Sequence, residues 1–394
     1  MKNAEYNFIT KAITEGPKHH FFGYYDISPW NKAQTKYLLL ETDFHARACE
    51  KDDESDVCVV DTETGVVNPI SRTRAFNLQQ GSMLHWIDVG FGEEITHNDW
   101  EDGRLISRVI NPDTGDQRTI SGAIAGVSPV EPIAIGLNYA RMRFCRRVVG
   151  YANDLYETET LDPRPKDDGL FLLDLVTGDS KLLISFADIA EVLSIPRLFN
   201  QPHWFNHVVF NTDGSRIMFV YRILDPPNSF GKTSSLWTVN TDGSDLQCIS
   251  PFGIRPNHFA WQDPQNIIAT SDILGEMQFI RITDKEKLNK PYGNGLFPPD
   301  GHFGFSPDYS WIVCDTYPHQ DPENIARLFL YDVHGKKMHL LGEYYHPPHI
   351  KDDWRCDLHP RWSPDGKLVS FDSVHESSRQ VYVIDLSEIT HPND

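Results

Sequence analysis

The chain has 394 residues, 40% hydrophobic and 12% aromatic, with 36 Lys and Arg against 56 Asp and Glu and a formal net charge of −20. That acidity argues against nucleic acid and anionic membranes as general partners, because neither the field nor counterion release would favour them; an acidic ligand would need a local basic pocket. No apolar run is long enough to span a bilayer, and the opening Met-Lys-Asn-Ala-Glu-Tyr-Asn-Phe lacks the apolar core of a leader, so the expectation is a cytoplasmic protein, or a secreted or periplasmic one if a leader has been removed.

In chain order, the first segment, Lys18-His19-His20-Phe21-Phe22-Gly23-Tyr24-Tyr25-Asp26, reads as aromatic packing that closes a ring, with His20 near a channel mouth. Two short motifs then alternate. One is a polar turn: Ser-Pro-Trp-Asn at 28–31, Ser-Pro-Val-Glu at 128–131, Asn-Thr-Asp-Gly at 211–214, Gln-Asp-Pro-Gln at 262–265, Ser-Pro-Asp-Tyr at 306–309 and Ser-Pro-Asp-Gly at 363–366, with a degenerate copy near Trp86. The other is an alternating apolar run ending in a turn, as in Val-Cys-Val-Val-Asp-Thr-Glu-Thr-Gly at 57–65 and Leu-Phe-Leu-Leu-Asp-Leu-Val-Thr-Gly at 170–178, with copies at 107–115, 236–243, 278–284, 328–335 and 381–386. Period-two alternation running into an Asp/Gly turn is the pattern of a half-buried strand entering a hairpin. Units spaced by roughly 40 to 65 residues fit four-stranded blades. The prediction is an all-β, seven-bladed β-propeller occupying 1–394 as a single domain, with blade openings near 28, 86, 128, 211, 262, 306 and 363.

Between these motifs the chemistry changes along the chain. The second and third blades carry His85, His97, Tyr139, Arg141, Arg143, Arg146, Arg147 and Tyr151, the densest basic stretch of an acidic protein. Read as an extended strand, 139–143 would send Tyr139, Arg141 and Arg143 to one face. Arginine can clamp a carboxylate while His or Tyr removes the neighbouring proton, a set suited to β-elimination on a uronic acid. Alternatively, these arginines pair with Asp154 and Glu157 at a solvated edge.

The last four blades place His207, His258, His302 and His359 four residues before the turn motif, at the expected start of the innermost, channel-lining strand. Imidazoles converging on an axis could ligate a divalent metal, zinc foremost and manganese or calcium as alternatives. Cys356 or His203 could add a ligand, whereas His346 and His349, in a Pro-rich loop, read as solvent-facing. The six cysteines include no Cys-x-x-Cys pair and otherwise read as buried thiols.

The openings Gly-Tyr-Tyr-Asp-Ile-Ser-Pro-Trp, Gln-Gln-Gly-Ser-Met-Leu-His-Trp, Asp-Gly-His-Phe-Gly-Phe-Ser-Pro-Asp and Arg-Cys-Asp-Leu-His-Pro-Arg-Trp-Ser-Pro-Asp-Gly resemble those of seven-bladed propeller polysaccharide lyases. The ulvan-lyase type is nearest and oligogalacturonate lyases are more distant, with propeller α-L-rhamnosidases as a sister group. The resemblance implies a His/Tyr acid–base pair, an arginine on the uronate carboxylate and a channel-mouth metal. Carried onto this chain, the base would be His85 or His97, the phenol Tyr139 or Tyr151, the clamp Arg141 or Arg143, and the metal ligands would come from His207, His258, His302, His359 and Cys356. The expected activity is a carbon–oxygen lyase acting on a uronic-acid-containing oligosaccharide or polysaccharide, as a monomer or small homo-oligomer. The rivals are a rhamnosidase-type hydrolase using His20 and a non-catalytic binding propeller.

Overall fold

The computed structural model describes residues 8–392, apart from 88, 90–92, 157–160, 194–199, 225–233, 253–255, 274 and 287. It contains seven antiparallel four-stranded sheets, the seven blades that the repeated motifs predict. Their innermost strands are His19–Phe21, His85–Ile87, Ile124–Val127, His203–Phe210, Phe259–Trp261, Phe303–Phe305 and Arg361–Trp362. Blades 1 to 6 each take four consecutive strands. The last blade takes three, Arg361–Trp362, Leu368–Ser373 and Gln380–Asp385, and receives its outermost strand, Thr10–Ala12, from the beginning of the chain, with Thr10 opposite Ile384 and Ala12 opposite Tyr382.

Both motifs are hairpin turns, and side-chain oxygens fix them. After the third strand of blade 1, Asp61 Oδ1 accepts from the backbone N–H groups of Glu63 and Thr64, and Gly65 closes the turn with its N–H on the Asp61 carbonyl at a left-handed φ of 72°. Asp174 and Gly178 repeat this arrangement in blade 3. Asp and Asn form such turns because their short side chains reach their own downstream backbone, and Gly enters the left-handed region without a Cβ penalty. The other motif links the first strand of a blade to the second: Ser363 Oγ donates to Asp365 and accepts from the Leu368 N–H. Alternating residues then bury between neighbouring blades, as where Met218, Val220 and Leu236 meet Phe259, Ile267 and Ile280.

A buried ion pair secures the ring where its ends meet. Arg361 lies 2.8 Å from Asp372, both in the last blade, and Asp372 also accepts from the backbone N–H groups of Phe22 and Gly23 in blade 1. Tyr37 of blade 1 donates to Ser370 Oγ.

The extended reading of 139–143 is overturned. Tyr139–Cys145 is an α-helix, α1, inserted between the second and third strands of blade 3, with Asn138 as N-cap accepting from the Arg141 N–H. Ala140, Arg141 and Met142 are good helix formers behind a favourable cap, and that local preference prevails over the apparent alternation. Glu157 lies outside the described residues, and Asp154 pairs with Lys51. Among the described residues, no helix is long and apolar enough to cross a membrane.

Candidate active site

The turn motif fixes the register of each innermost strand, so residues four positions earlier meet around the channel at one mouth. In blades 5, 6 and 7 these are His258, His302 and His359. The ring centroids of His258 and His302 are 4.3 Å apart and those of His302 and His359 are 4.0 Å apart. The His302 and His359 Nε2 atoms face each other at 3.1 Å. His207 of blade 4 is farther off, with its centroid 6.3 Å from that of His258, and its Nδ1 lies 2.5 Å from the Tyr24 hydroxyl. Tyr24 reaches the same layer from blade 1, and Met83 holds the equivalent address in blade 2. Met83, His207 and His359 share a left-handed backbone, φ 47–52°, a strain that persists only where surrounding contacts enforce it.

Carboxylates orient the imidazoles from behind. Asp315 accepts from the His302 N–H at 2.7 Å, lies 3.1 Å from His302 Nδ1 and accepts from the His359 N–H at 3.0 Å. Asp300 Oδ1 lies 2.9 Å from His258 Nδ1 and also accepts from Thr270 Oγ1. With Nδ1–H donated to a carboxylate, the Nε2 lone pairs of His258 and His302 are turned inward, the usual arrangement behind a metal ligand or a general base. The Tyr317 hydroxyl lies between them, 3.0 Å from His258 Nε2 and 3.3 Å from His302 Nε2.

Burial lowers the pKa of His258 despite Asp300, and lowers those of His207 and His359 strongly. His302 differs: burial pulls it down, but Asp315 outweighs this and its pKa rises. Burial works against ionisation of Asp300 as well, yet His258 and the Thr270 and Asn257 hydrogen bonds bring its carboxyl down to about 2. Burial keeps the Tyr317 phenol protonated.

His302, Asp357 and His359 bring one ligating atom each to within 4.8 Å of one another, the one such group among the described residues. Two nitrogens bound to one ion at about 2.1 Å stand roughly 3 Å apart, which is the His302–His359 separation. The donor set therefore fits a divalent metal. Arg355 grips Asp357 at 2.8 Å, and its guanidinium carbon lies 5.7 Å from the Tyr317 ring centre. Burial and the Arg355 charge both lower the Arg146 pKa, so two guanidiniums crowd the same mouth. Such a pair favours an anion between or beside its members.

The other residues singled out from the sequence lie outside this cluster, each with partners of its own. Cys356 is buried with its N–H on His346 Nε2 and its thiol against the Asp357 carbonyl; it is not part of the metal-sized group. His346 is buried by that contact, contrary to the solvent-facing reading, whereas His349 is exposed. Arg141 donates to the carbonyls of His203, Asp162 and Pro163, and Arg143 to those of Arg147 and Cys49, because α1 turns them in different directions. Tyr139 stacks on Tyr151 at 4.4 Å, and the Tyr151 hydroxyl accepts from Asn98. His97 is held between the Asn98 carbonyl and Ser71 Oγ. His85 bonds the Met83 carbonyl through Nδ1 and faces the channel on the far side of Tyr25. His20 lies between Gln380 and Glu41 at the ring closure. Arg147 pairs with Asp353.

Sequence reasoning missed Asp300, Asp315, Tyr317, Arg355 and Asp357. Asp-Gly-His at 300–302 and Asp-Leu-His at 357–359 repeat an Asp two residues before the histidine, a signal that was available. Asp315 and Tyr317 come from a neighbouring strand and the loop after it, where no motif marks them.

No protein-family model matches the sequence, and no curated protein matches it. Solved structures do match. An oligogalacturonate lyase from Vibrio parahaemolyticus superposes with a TM-score of 0.65 at 15% identity, over 98% of each chain. An oligogalacturonate lyase in complex with manganese gives 0.66 at 16% identity, over 97% of this chain and 95% of the other. A puromycin-hydrolysing peptidase from Mycobacterium tuberculosis gives 0.52 at 12% identity, over 89% of this chain and 50% of that one. At such identities the likeness is one of fold: the chain is a seven-bladed β-propeller that resembles the oligogalacturonate lyases along nearly its whole length.

Proposed function

We propose that the protein is a metal-assisted lyase that cleaves a uronic-acid-containing oligosaccharide by β-elimination. The observation that carries this reading is the convergence of His258, His302, His359 and Asp357 at one channel mouth beside Arg146 and Arg355. The full-length structural resemblance to oligogalacturonate lyases, one of them bound to manganese, supports it.

Elimination removes the C5 proton of the uronate and breaks the C4–O bond. The C–H electron pair forms the 4,5 double bond, and the leaving oxygen departs with a proton. Arg355 and Arg146 would hold the carboxylate and offset the charge that builds on it as C5 loses its proton. His258, neutral because of burial and oriented by Asp300, offers Nε2 as base. Tyr317, kept protonated, can donate to the leaving oxygen and recover a proton from His258, whose Nε2 is 3.0 Å away. A divalent ion held by His302, Asp357 and His359 would supply Lewis-acid stabilisation of the carboxylate; two imidazoles and a carboxylate suit manganese or zinc. In this reading Arg141, Arg143, Tyr139, Tyr151 and His97 support the blades that carry the site.

The test is ultraviolet absorbance of unsaturated uronate during incubation with oligogalacturonates, ulvan and rhamnose-capped glucuronate substrates. Rising absorbance that falls by about 10²-fold or more in His258→Gln and Tyr317→Phe, and persists in His97→Gln, is the expected result. Released rhamnose without unsaturated product would transfer the assignment to a hydrolase, and no product from any substrate would leave a binding propeller.

A further inference from the structure

Four imidazoles surround the ring of Tyr25, which lies 5.1–6.3 Å from those of His207, His258, His302 and His359. His258, His302 and His359 have tasks in elimination or metal binding, and His207 has none. Its placement is nonetheless specific. A break in register between Asn206 and Val209 interrupts the pairing of His203–Phe210 with Arg216–Ile223, and His207 sits in that bulge at a left-handed φ of 49°. Bulges of this kind re-aim a side chain and recur beside active sites. The ring is set edge-on to Phe259, with 5.8 Å between centroids.

Hydrogen bonding sets this imidazole apart from its neighbours. The Tyr24 hydroxyl lies 2.5 Å from His207 Nδ1. Tyr24 is buried, and its hydroxyl has no other partner among the described residues. If the phenol accepted from Nδ1–H, its own O–H would be buried with nowhere to donate; if it donates to Nδ1, both groups are satisfied. Burial keeps the phenol protonated and the imidazole neutral, in keeping with that direction. The one N–H of the neutral ring therefore sits on Nε2. His258 and His302 are the reverse: their Nδ1–H groups go to Asp300 and Asp315, and Nε2 carries the lone pair. His207 Nε2–H has no partner among the described residues, and the half-buried ring leaves it open to the channel.

We infer that His207 is a substrate-binding residue and not a metal ligand: its Nε2–H donates to a neutral sugar oxygen, a hydroxyl or ring oxygen, on the blade 4 side of His258. The sugar in this inference rests on the lyase assignment, and the donor on the Tyr24 hydrogen bond. Arg355, Asp357, His302 and His359 come from blades 6 and 7, so the uronate carboxylate belongs on that side of the base. His207 stands on the other side, where a neutral N–H suits the uncharged part of the sugar. A metal ion cannot use a protonated nitrogen, and moving the proton to Nδ1 would leave the Tyr24 O–H unmet. Tyr24 is thus a positioning residue, acting through His207.

The test begins by reading the proton directly. In the metal-free full chain carrying isotopically labelled histidine, two-bond nitrogen–proton NMR correlations show which nitrogen of His207 is protonated, its signals being identified by their loss in His207→Asn. Asn tolerates the left-handed backbone and can accept the Tyr24 hydroxyl through Oδ1, but it is too short to replace Nε2–H. A protonated Nε2 with a bare Nδ1, giving way to a tautomer mixture in Tyr24→Phe, is the expected spectrum. Formation of unsaturated product from oligogalacturonates, ulvan or the rhamnose-capped substrate, whichever reacts, then assigns the role. His207→Asn should raise KM about 3- to 10-fold with kcat within about twofold, as for one neutral hydrogen bond made equally in ground and transition states. His207→Gln, whose amide nitrogen reaches the Nε2 position, should recover most of the loss, and manganese affinity should stay the same in both. A protonated Nδ1, an unchanged KM, an equal KM rise in the Asn and Gln variants, or weaker manganese binding by His207→Asn would each overturn the inference. No unsaturated product from the wild type would instead refute the lyase assignment, and the sugar contact with it, whatever the spectrum shows.

Discussion

Replacing Asp315 with Asn tests whether the histidine layer is organised as a metal site. Asp315 receives three donors in a buried setting: the His302 and His359 backbone N–H groups at 2.7 and 3.0 Å and His302 Nδ1 at 3.1 Å. Asn keeps the volume but offers one oxygen, and its amide N–H₂ confronts a donor on the other side. One or two buried donors are then left unmet at about 1–3 kcal/mol each, so a stability loss of roughly 2–4 kcal/mol is expected. His302 also loses the carboxylate that fixes its tautomer and raises its pKa. Loss of such a support costs about 10–100-fold in metal affinity. Denaturant titration gives the first quantity and calorimetric titration of the metal-free protein with manganese the second. A variant as stable as the wild type, with unchanged manganese affinity, would refute the proposed role of Asp315.

Two further outcomes concern the scaffold. His346 accepts the Cys356 N–H through Nε2, and burial lowers its pKa from 6.5 to about 4. For a base held neutral by the fold, the unfolded chain binds the extra proton between these values, so stability falls as pH drops from about 6.5 to 4, by about 3 kcal/mol from this group. His346→Gln, which can still accept the N–H, should flatten that slope in denaturation measured across the range; an unchanged slope would exclude His346 as its source. Asp372→Ala leaves Arg361 buried without its counter-charge and two N–H groups of blade 1 without an acceptor, so a loss of about 3–5 kcal/mol is expected in denaturant titration; a loss below about 1 kcal/mol would show that the pair does not secure the closure.

Residues that act through a local rule were legible in the sequence. Asp61 and Gly65 announce their turn because a short carboxylate and a left-handed glycine do the same job in any hairpin, and repetition of that job exposes the propeller. His258, His302 and His359 were legible because the turn after them fixes how far along the strand they lie. Arg355, Tyr317 and Asp315 were not, since their roles depend on which neighbour the ring brings alongside. Arg141 and Arg143 misled for a related reason: charge density says nothing about direction, and α1 sends each guanidinium to backbone carbonyls.

The seam at Thr10–Ala12 bears on how the ring is made. The partner of that strand, Tyr382–Ile384, lies hundreds of residues later and leaves the ribosome only after the first six blades have been made. Until then the last blade cannot be completed, and Phe22 and Gly23 wait for Asp372. Six blades can stack as they emerge, but the nascent assembly keeps two open sheet edges, the kind of surface that recruits other chains. Exposure to misassembly is therefore greatest before Gln380–Asp385 has emerged, and its pairing with Thr10–Ala12 is the event that ends it.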